Sequence, residues 1–180
     1  TMVKIDPTSG RLSIELQMLV PGFDYDLSHC GKGPSHDWCF FSMYNSEQAN
    51  TMLEINASRG DKDYIMAFNW VRAKQCADEG KATNFSGSYR HNYREDNKNA
   101  VSEAMNGVRM LDPANCPGVA YYLPTPKSPH GSDVDPTGEY IVGGGKLATV
   151  IPVHSFSKLI EAVKNQANVI KTIDGIPVLK

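Results

Sequence analysis

Three Asp-Pro turns, each lying between two short apolar runs, constrain the fold of this 180-residue chain more than any other feature. They stand at Asp6-Pro7, Asp112-Pro113 and Asp135-Pro136. Proline fixes its own φ and suits the second position of a type I turn, so each step predicts a chain reversal between two strands. The sequence therefore predicts a mainly β chain, built from strand–turn–strand units like those in the blades of a β-propeller.

Two segments break this pattern and predict short helices. Residues 69–82 contain good helix formers after Asn69, which is a suitable N-cap. Residues 155–166 carry apolar side chains at helical spacing, which gives one apolar face. Each segment follows a strand-like run, so a Rossmann-like α/β protein is an alternative, although the many short strands favour the β fold. Residues 81–106, rich in Asn, Ser and charged residues, predict a long surface loop.

The composition argues against two classes of partner. The net charge is −2, and the local basic residues are followed at once by acidic ones, so the chain lacks the electrostatic footprint of a nucleic-acid-binding protein. No run approaches the roughly 18 apolar residues that a membrane helix needs. We therefore expect neither nucleic acid nor a membrane as a partner.

One short segment contains two histidines and two cysteines, which are His29, Cys30, His36 and Cys39. They could bind a zinc or copper ion, as the metal site of an α/β enzyme. Alternatively, Cys30 and Cys39 could form a disulfide in an oxidising compartment. The spacing fits no usual zinc finger, which favours the disulfide over the metal site.

A run of three glycines before Lys146 invites comparison with a phosphate-binding loop. That loop needs a glycine five positions before its Gly-Lys pair and Ser or Thr after it. This chain has Tyr140 and Leu147 at those positions, so the pattern is absent. We expect residues 143–145 to be a strand end that packs closely against a neighbour.

The segment Lys127-Ser128-Pro129-His130-Gly131 places a histidine between a proline and a glycine, just before a tight turn. Proline restricts the backbone on one side, and glycine permits a turn on the other, so the imidazole is held on a rigid backbone. Such a histidine suits a metal ligand. The other interpretation is a structural histidine that bonds a backbone carbonyl.

The window of residues 127–159, K-S-P-H-G-S-D-V-D-P-T-G-E-Y-I-V-G-G-G-K-L and onward, resembles the catalytic domain of the nitrous oxide reductases. Residues 43–49, M-Y-N-S-E-Q-A, match a second family segment in the family's order. The resemblance implies several blades of a seven-bladed β-propeller. It implies that residues 1–180 are a single incomplete propeller domain, an interior fragment of the enzyme.

The resemblance also implies copper. The family's hub holds a sulfide-bridged four-copper cluster, CuZ, whose protein ligands are all histidines, and the Pro-His-Gly histidine carries over to His130. The family's upstream His-His pair and further downstream histidines are not in these residues. Nor is the Cys-x-Trp-x-Cys motif of the binuclear CuA site, which belongs to a C-terminal cupredoxin domain.

A calcium site is the second cofactor site that the resemblance implies. Its Tyr-Asn-Ser-Glu segment carries over to Tyr44 and Glu47, and its acidic residue before an aromatic carries over to Asp63. Asp61 is the alternative to Asp63. Ser128 stands where the family often has Asn, so we expect at most a weak calcium contact there.

The activity implied is the reduction of N2O to N2 and water in periplasmic denitrification. Electrons would come from a periplasmic donor such as a c-type cytochrome or a cupredoxin, through CuA, in a homodimer. We expect this fragment alone to be inactive. A non-catalytic β-propeller or β-rich binding module is the alternative function.

Overall fold

The computed structural model describes residues 1–20, 24–44, 63–85, 107–126, 128–145, 150–165 and 168–180. Two helices form within these ranges, α1 (Trp70–Asp78) and α2 (Phe156–Lys164). Thirteen strands form there as well: β1 (Met2–Ile5), β2 (Leu12–Met18), β3 (Asp24–Cys30), β4 (Trp38–Tyr44), β5 (Tyr64–Asn69), β6 (Ala82–Asn84), β7 (Arg109–Leu111), β8 (Ala120–Pro124), β9 (Pro129–Val134), β10 (Tyr140–Gly145), β11 (Val153–Ser155), β12 (Val169–Ile173) and β13 (Ile176–Leu179). The prediction of a mainly β chain with two short helices is confirmed.

The described strands form three sheets. The largest has six strands in the order β12-β13-β8-β5-β4-β3, the second has four in the order β1-β2-β7-β6, and the third has three in the order β11-β10-β9. The pairs β3–β4, β4–β5 and β5–β8 are antiparallel, whereas β13 pairs with β8 and β2 with β7 in parallel. Because the ladders are mostly antiparallel, the Rossmann-like alternative is wrong. The seven-bladed propeller stays a prediction.

The six-stranded sheet is buried on both faces. Side chains alternate along a strand, so Tyr64, Met66 and Phe68 of β5 pack into one apolar cluster. Ile65 and Ala67 of the same strand pack into a second cluster on the opposite face. The first cluster includes side chains of β2, β7 and α1, and the second includes side chains of β9, β10 and α2. The six-stranded sheet is therefore the layer on which both smaller sheets and both helices are assembled.

Both helices begin where the sequence predicts. The Asn69 side chain accepts a hydrogen bond from the backbone N–H of Arg72, and the Ser155 side chain accepts one from the N–H of Lys158. Glu139 adds a carboxylate at the start of α2, where its Oε1 accepts from the Ser157 hydroxyl at 2.7 Å. Each helix ends earlier than predicted, α1 at Asp78 and α2 at Lys164.

Two of the three Asp-Pro turns join paired strands. Asp6-Pro7 lies between the antiparallel β1 and β2, and Asp135-Pro136 lies between β9 and β10. Asp112-Pro113 was expected to join a third such pair, and this expectation is wrong. There the Asp112 side chain accepts from the N–H of Ala114 and caps a short 3-10 helix. The strands on either side, β7 and β8, consequently belong to different sheets.

The predicted surface loop over residues 81–106 is wrong at its start. Residues Ala82–Asn84 form β6, which pairs antiparallel with β7. Their hydrogen bonds come from a strand far along the chain, which local composition does not reveal. Residues 86–106 lie outside the described residues. Among the described helices, neither is long and apolar enough to cross a membrane.

Candidate functional site

His130 lies on strand β9, as its second residue. Its Nδ1 atom is 3.3 Å from Oδ2 of Asp26 on β3. The His130 side chain is 52% exposed and that of Asp26 is 23% exposed. A carboxylate beside Nδ1 favours the tautomer with a proton on that nitrogen, which leaves the Nε2 lone pair as the donor atom.

A second histidine–carboxylate pair joins the same two strands, with its histidine on β3 and its aspartate on β9. Nδ1 of His29 on β3 lies 2.8 Å from Oδ1 of Asp133 on β9. Each strand therefore supplies one histidine and one aspartate to the contact between the six-stranded and three-stranded sheets. Both pairs are partly exposed and link β9 with β3.

The backbone beside His130 is closely packed. A Cβ added to Gly144 would lie 2.9 Å from the His130 carbonyl oxygen. One added to Gly143 would lie 2.9 Å from side-chain atoms of Ile65 and Pro152. The expectation of a glycine-rich strand end packed against a neighbour is confirmed. An open depression of about 360 Å³ adjoins His130 and is lined by apolar side chains that include Leu27, Val142 and Ile151.

The donor chemistry at His130 fits a copper ligand, because a neutral imidazole nitrogen suits copper and its other nitrogen faces a carboxylate. Within the described ranges, no group of three or more His, Cys, Asp and Glu side chains is arranged to hold a metal ion. His130 therefore offers a single nitrogen donor. Any further copper ligand would lie outside the part of the chain that the structure describes.

A different, buried group of oxygens lies just before β9. Oδ2 of Asp63 accepts a hydrogen bond of 2.6 Å from the backbone N–H of Ser128. Asp63 is 2% exposed and Ser128 is 6% exposed. Ser128 has φ 56°, in the left-handed region that few residues other than glycine adopt. The structure thus brings together two of the residues that the sequence assigns to calcium.

A third oxygen at this place was missed from the sequence. The backbone N–H of Thr125 donates to the Asp63 carbonyl oxygen at 3.2 Å. Thr125 Oγ1 is buried and has no hydrogen-bond partner among the residues that the structure describes. Calcium binds oxygen ligands such as carboxylates, so Asp63 offers one donor of the right kind.

Of the other residues predicted to bind calcium, the structure describes the backbone of Tyr44. Met43 is paired with Tyr64 in the ladder between β4 and β5, so continuing the register places the backbone of Tyr44 beside Asp63. Glu47 and Asp61 lie outside the described residues. The calcium assignment of Tyr44, Glu47, Asp63 and Ser128 stays a prediction.

The four cysteines form two disulfides, Cys30–Cys39 and Cys76–Cys116. The first pairs directly opposite residues of β3 and β4, so the interpretation of these cysteines as metal ligands is wrong. The second ties α1 to the short 3-10 helix near Asp112 and was not predicted. An even number of cysteines was its only sequence signal, because its two residues are 40 positions apart.

Comparison with known proteins gives a distant relative. Over 155 residues the chain is 23% identical to a nitrous-oxide reductase of Pseudomonas fluorescens. The match covers 83% of this chain and 20% of the relative, so the chain spans about a fifth of that protein's length. No protein-family model matches the chain. An identity this low supports at most a distant, family-level relationship.

Proposed function

We propose that this chain is part of a copper-dependent nitrous-oxide reductase. In this proposal His130 is one ligand of the four-copper cluster CuZ, and Tyr44, Glu47, Asp63 and Ser128 belong to a calcium site. The distant similarity over most of the chain supports the family assignment. The Pro-His-Gly segment supports the copper ligand.

The observation that carries the copper proposal is the contact between His130 and Asp26. Metal-binding histidines commonly donate their second ring N–H to a carboxylate, which fixes the tautomer and the ring orientation. The 3.3 Å contact from Nδ1 to Asp26 is of this kind, and the ring is half-exposed rather than enclosed. The imidazole is therefore held in advance of metal binding, with Nε2 as the ligand atom.

When bound, the copper cluster would supply the electrons and the Lewis acid for reducing N2O, with two electrons and two protons, to N2 and water. In this proposal, the residues described here would bind and orient the cluster. Asp26 holds the His130 ring, and the tight approach of Gly144 holds its backbone. Leu27, Val142 and Ile151 line the adjoining open depression together with Ser132 and Asp133.

The proposed calcium site lies at the beginning of β9, the strand that carries His130. Ser128 precedes His130 by two residues, and its backbone N–H is bound to the buried Asp63 carboxylate. A cation held there by oxygen ligands would fix the start of β9. We infer that the calcium ion supports the copper ligand by holding the backbone rather than by touching the substrate.

The disulfides support a periplasmic location for the protein. Disulfides persist in oxidising compartments such as the periplasm and are rare in the cytosol. All four cysteines are paired. An electron donor of the c-type cytochrome or cupredoxin class, a CuA domain and a homodimer complete the proposal for the whole enzyme. The 180-residue chain alone is expected to be inactive.

The experiment that tests the proposal is copper analysis of the full-length protein from the same gene, with His130→Ala compared with His29→Ala. The control residue pairs with Asp133 on the same two strands but is assigned no metal. We expect lower copper content in His130→Ala and wild-type content in His29→Ala. Equal copper content in His130→Ala and wild type would remove the ligand assignment.

The alternative function, a non-catalytic β-rich binding module, is favoured by one observation. Within the described residues, no group of three or more His, Cys, Asp and Glu side chains could hold a metal ion. The full-length gene separates the two functions. A His-His pair upstream and a Cys-x-Trp-x-Cys motif downstream would support the reductase, and the absence of both would support the binding module.

A further inference from the structure

The side chain of Thr125 is hard to explain as a packing residue alone. Its Oγ1 is buried without a hydrogen-bond partner in the described part of the chain. A buried hydroxyl without a partner destabilises a fold, since the group has lost its hydrogen bonds to water. Valine has almost the same shape and would fill this place without that cost. This hydroxyl therefore points to a ligand that the described residues do not supply.

The strand register places this hydroxyl beside the Asp63 carboxylate. Tyr64 is paired with Pro124 in the antiparallel ladder between β5 and β8. The next pair along the ladder is Asp63 with Thr125, joined by the backbone hydrogen bond of 3.2 Å. Side chains of directly opposite residues lie on the same face of a sheet, about 5 Å apart at Cβ.

Ser128 belongs to the same group. Its backbone N–H donates to Oδ2 of Asp63 at 2.6 Å, so this carboxylate is bonded to the residue just before β9. The group therefore contains a carboxylate and two hydroxyl-bearing residues, with Asp63 and Ser128 buried. Nitrogen and sulfur ligands are absent from these three side chains. Such a set suits a hard divalent cation of the calcium type and not zinc or copper.

We propose that Oγ1 of Thr125 is an oxygen ligand of the calcium ion held by Asp63. The inference rests on the calcium site of the proposed function and adds a ligand to it. Thr125 supplies a neutral oxygen, so it tightens binding without changing the charge of the site. Calcium would give the buried hydroxyl a partner, which the described residues do not supply.

The test is Thr125→Val in the 180-residue chain, with calcium affinity measured by titration calorimetry. We expect calcium to bind about tenfold more weakly, the effect of losing one good contact. Thr125→Ser keeps the hydroxyl and should bind within about twofold of wild type. Thr172→Val, at an exposed position on β12, is the matched control and should leave the affinity unchanged.

Thermal unfolding in the metal chelator EGTA gives the second measurement. Without calcium, Thr125→Val should unfold at the same temperature as wild type or a higher one, because the unpaired hydroxyl is removed. On adding calcium, its unfolding temperature should rise by less than that of wild type. A lower unfolding temperature without calcium would overturn the inference, because it would mean that the hydroxyl already has a protein partner.

Failure of this inference is distinguishable from failure of the calcium site. If Thr125→Val binds calcium as tightly as wild type while Asp63→Asn does not bind it, the Thr125 assignment is wrong and the Asp63 site stands. If the wild-type chain shows no calcium binding and no calcium-dependent rise in unfolding temperature, the calcium site and the Thr125 assignment both fall.

Discussion

Ser128 and His130 are neighbours in sequence, but the fold gives them opposite surroundings. Ser128 is buried, with its backbone bonded to the buried Asp63 carboxylate at 2.6 Å. His130 is half-exposed and is held through its side chain by Asp26 at 3.3 Å. Ser128, just before β9, is therefore held by a buried carboxylate, while the side chain of His130, the proposed copper ligand, is half-exposed.

The difference indicates how the two proposed metal sites are divided between this chain and its surroundings. In the proposal, the calcium site includes Asp63, just before β5, and Ser128, just before β9, which are joined by a hydrogen bond. The copper site includes His130, which belongs to no group of three or more His, Cys, Asp and Glu side chains within the described residues.

The largest effect expected from this comparison is the stability difference between Asp63→Ala and Asp26→Ala. Removing the Asp63 carboxylate leaves the buried Ser128 N–H without its acceptor, which should cost about 2 to 3 kcal/mol of unfolding free energy. Removing Asp26 breaks a partly exposed pair, which should cost less than about 1 kcal/mol. Urea unfolding of both variants in a metal chelator measures the difference. Equal losses of unfolding free energy would show that Ser128 and His130 are held equally strongly.

Gly144→Ala should disturb the backbone at His130. The new Cβ would lie 2.9 Å from the His130 carbonyl oxygen, and its nearest neighbours are backbone atoms of His130 and Gly131, which leave little room to adjust. We expect a loss of about 1 to 3 kcal/mol in unfolding free energy, the usual range for overpacking. Calcium affinity is the internal control and should not change, because Asp63 and Ser128 are untouched. Weaker calcium binding would mean that packing at His130 and calcium binding at Asp63 are coupled.

A smaller effect is expected from Ser128→Gly. Ser128 has φ 56°, which glycine adopts without the steric cost that a Cβ imposes. The backbone N–H to Asp63 is kept, so we expect a gain of about 0.5 kcal/mol in urea unfolding after the entropy of glycine is counted. Asp174→Gly, at φ 47° in the turn between β12 and β13, is the matched control. A loss of stability at position 128 alone would mean that the Ser128 side chain matters.

The smallest effect concerns His154, a histidine away from both sites. Burial lowers its pKa below 6.5 in the folded chain. Below that pH the unfolded chain binds a proton that the folded chain does not, so stability should fall as pH drops through 6.5 toward the folded pKa. Urea unfolding from about pH 8 to about pH 5 measures the slope. His154→Gln should flatten it, and an unchanged slope would assign the pH dependence to other groups.

Local patterns predicted the parts of the fold that local chemistry determines. Asn69 and Ser155 cap their helices because a short polar side chain can accept from the N–H three residues on. Asp135-Pro136 turns the chain because its side chain accepts backbone N–H groups within the turn. Asp112-Pro113 has the same letters but begins a 3-10 helix, since the chain there leads to another sheet.

The candidate sites were predictable only where a motif carried them. The Pro-His-Gly segment identified His130, but its partner Asp26 lies 104 residues earlier and has no sequence signal of its own. Thr125 was missed for the same reason. Its significance comes from the strand register that sets it opposite Asp63, and register is a property of the sheet rather than of the neighbouring residues.

The most direct test of the account is anomalous X-ray scattering at the copper absorption edge from crystals of the full-length protein. The account predicts a copper peak within bonding distance of Nε2 of His130, while Nδ1 of the same ring contacts the Asp26 carboxylate. Copper peaks elsewhere in the protein, with none at the His130 ring, would contradict it.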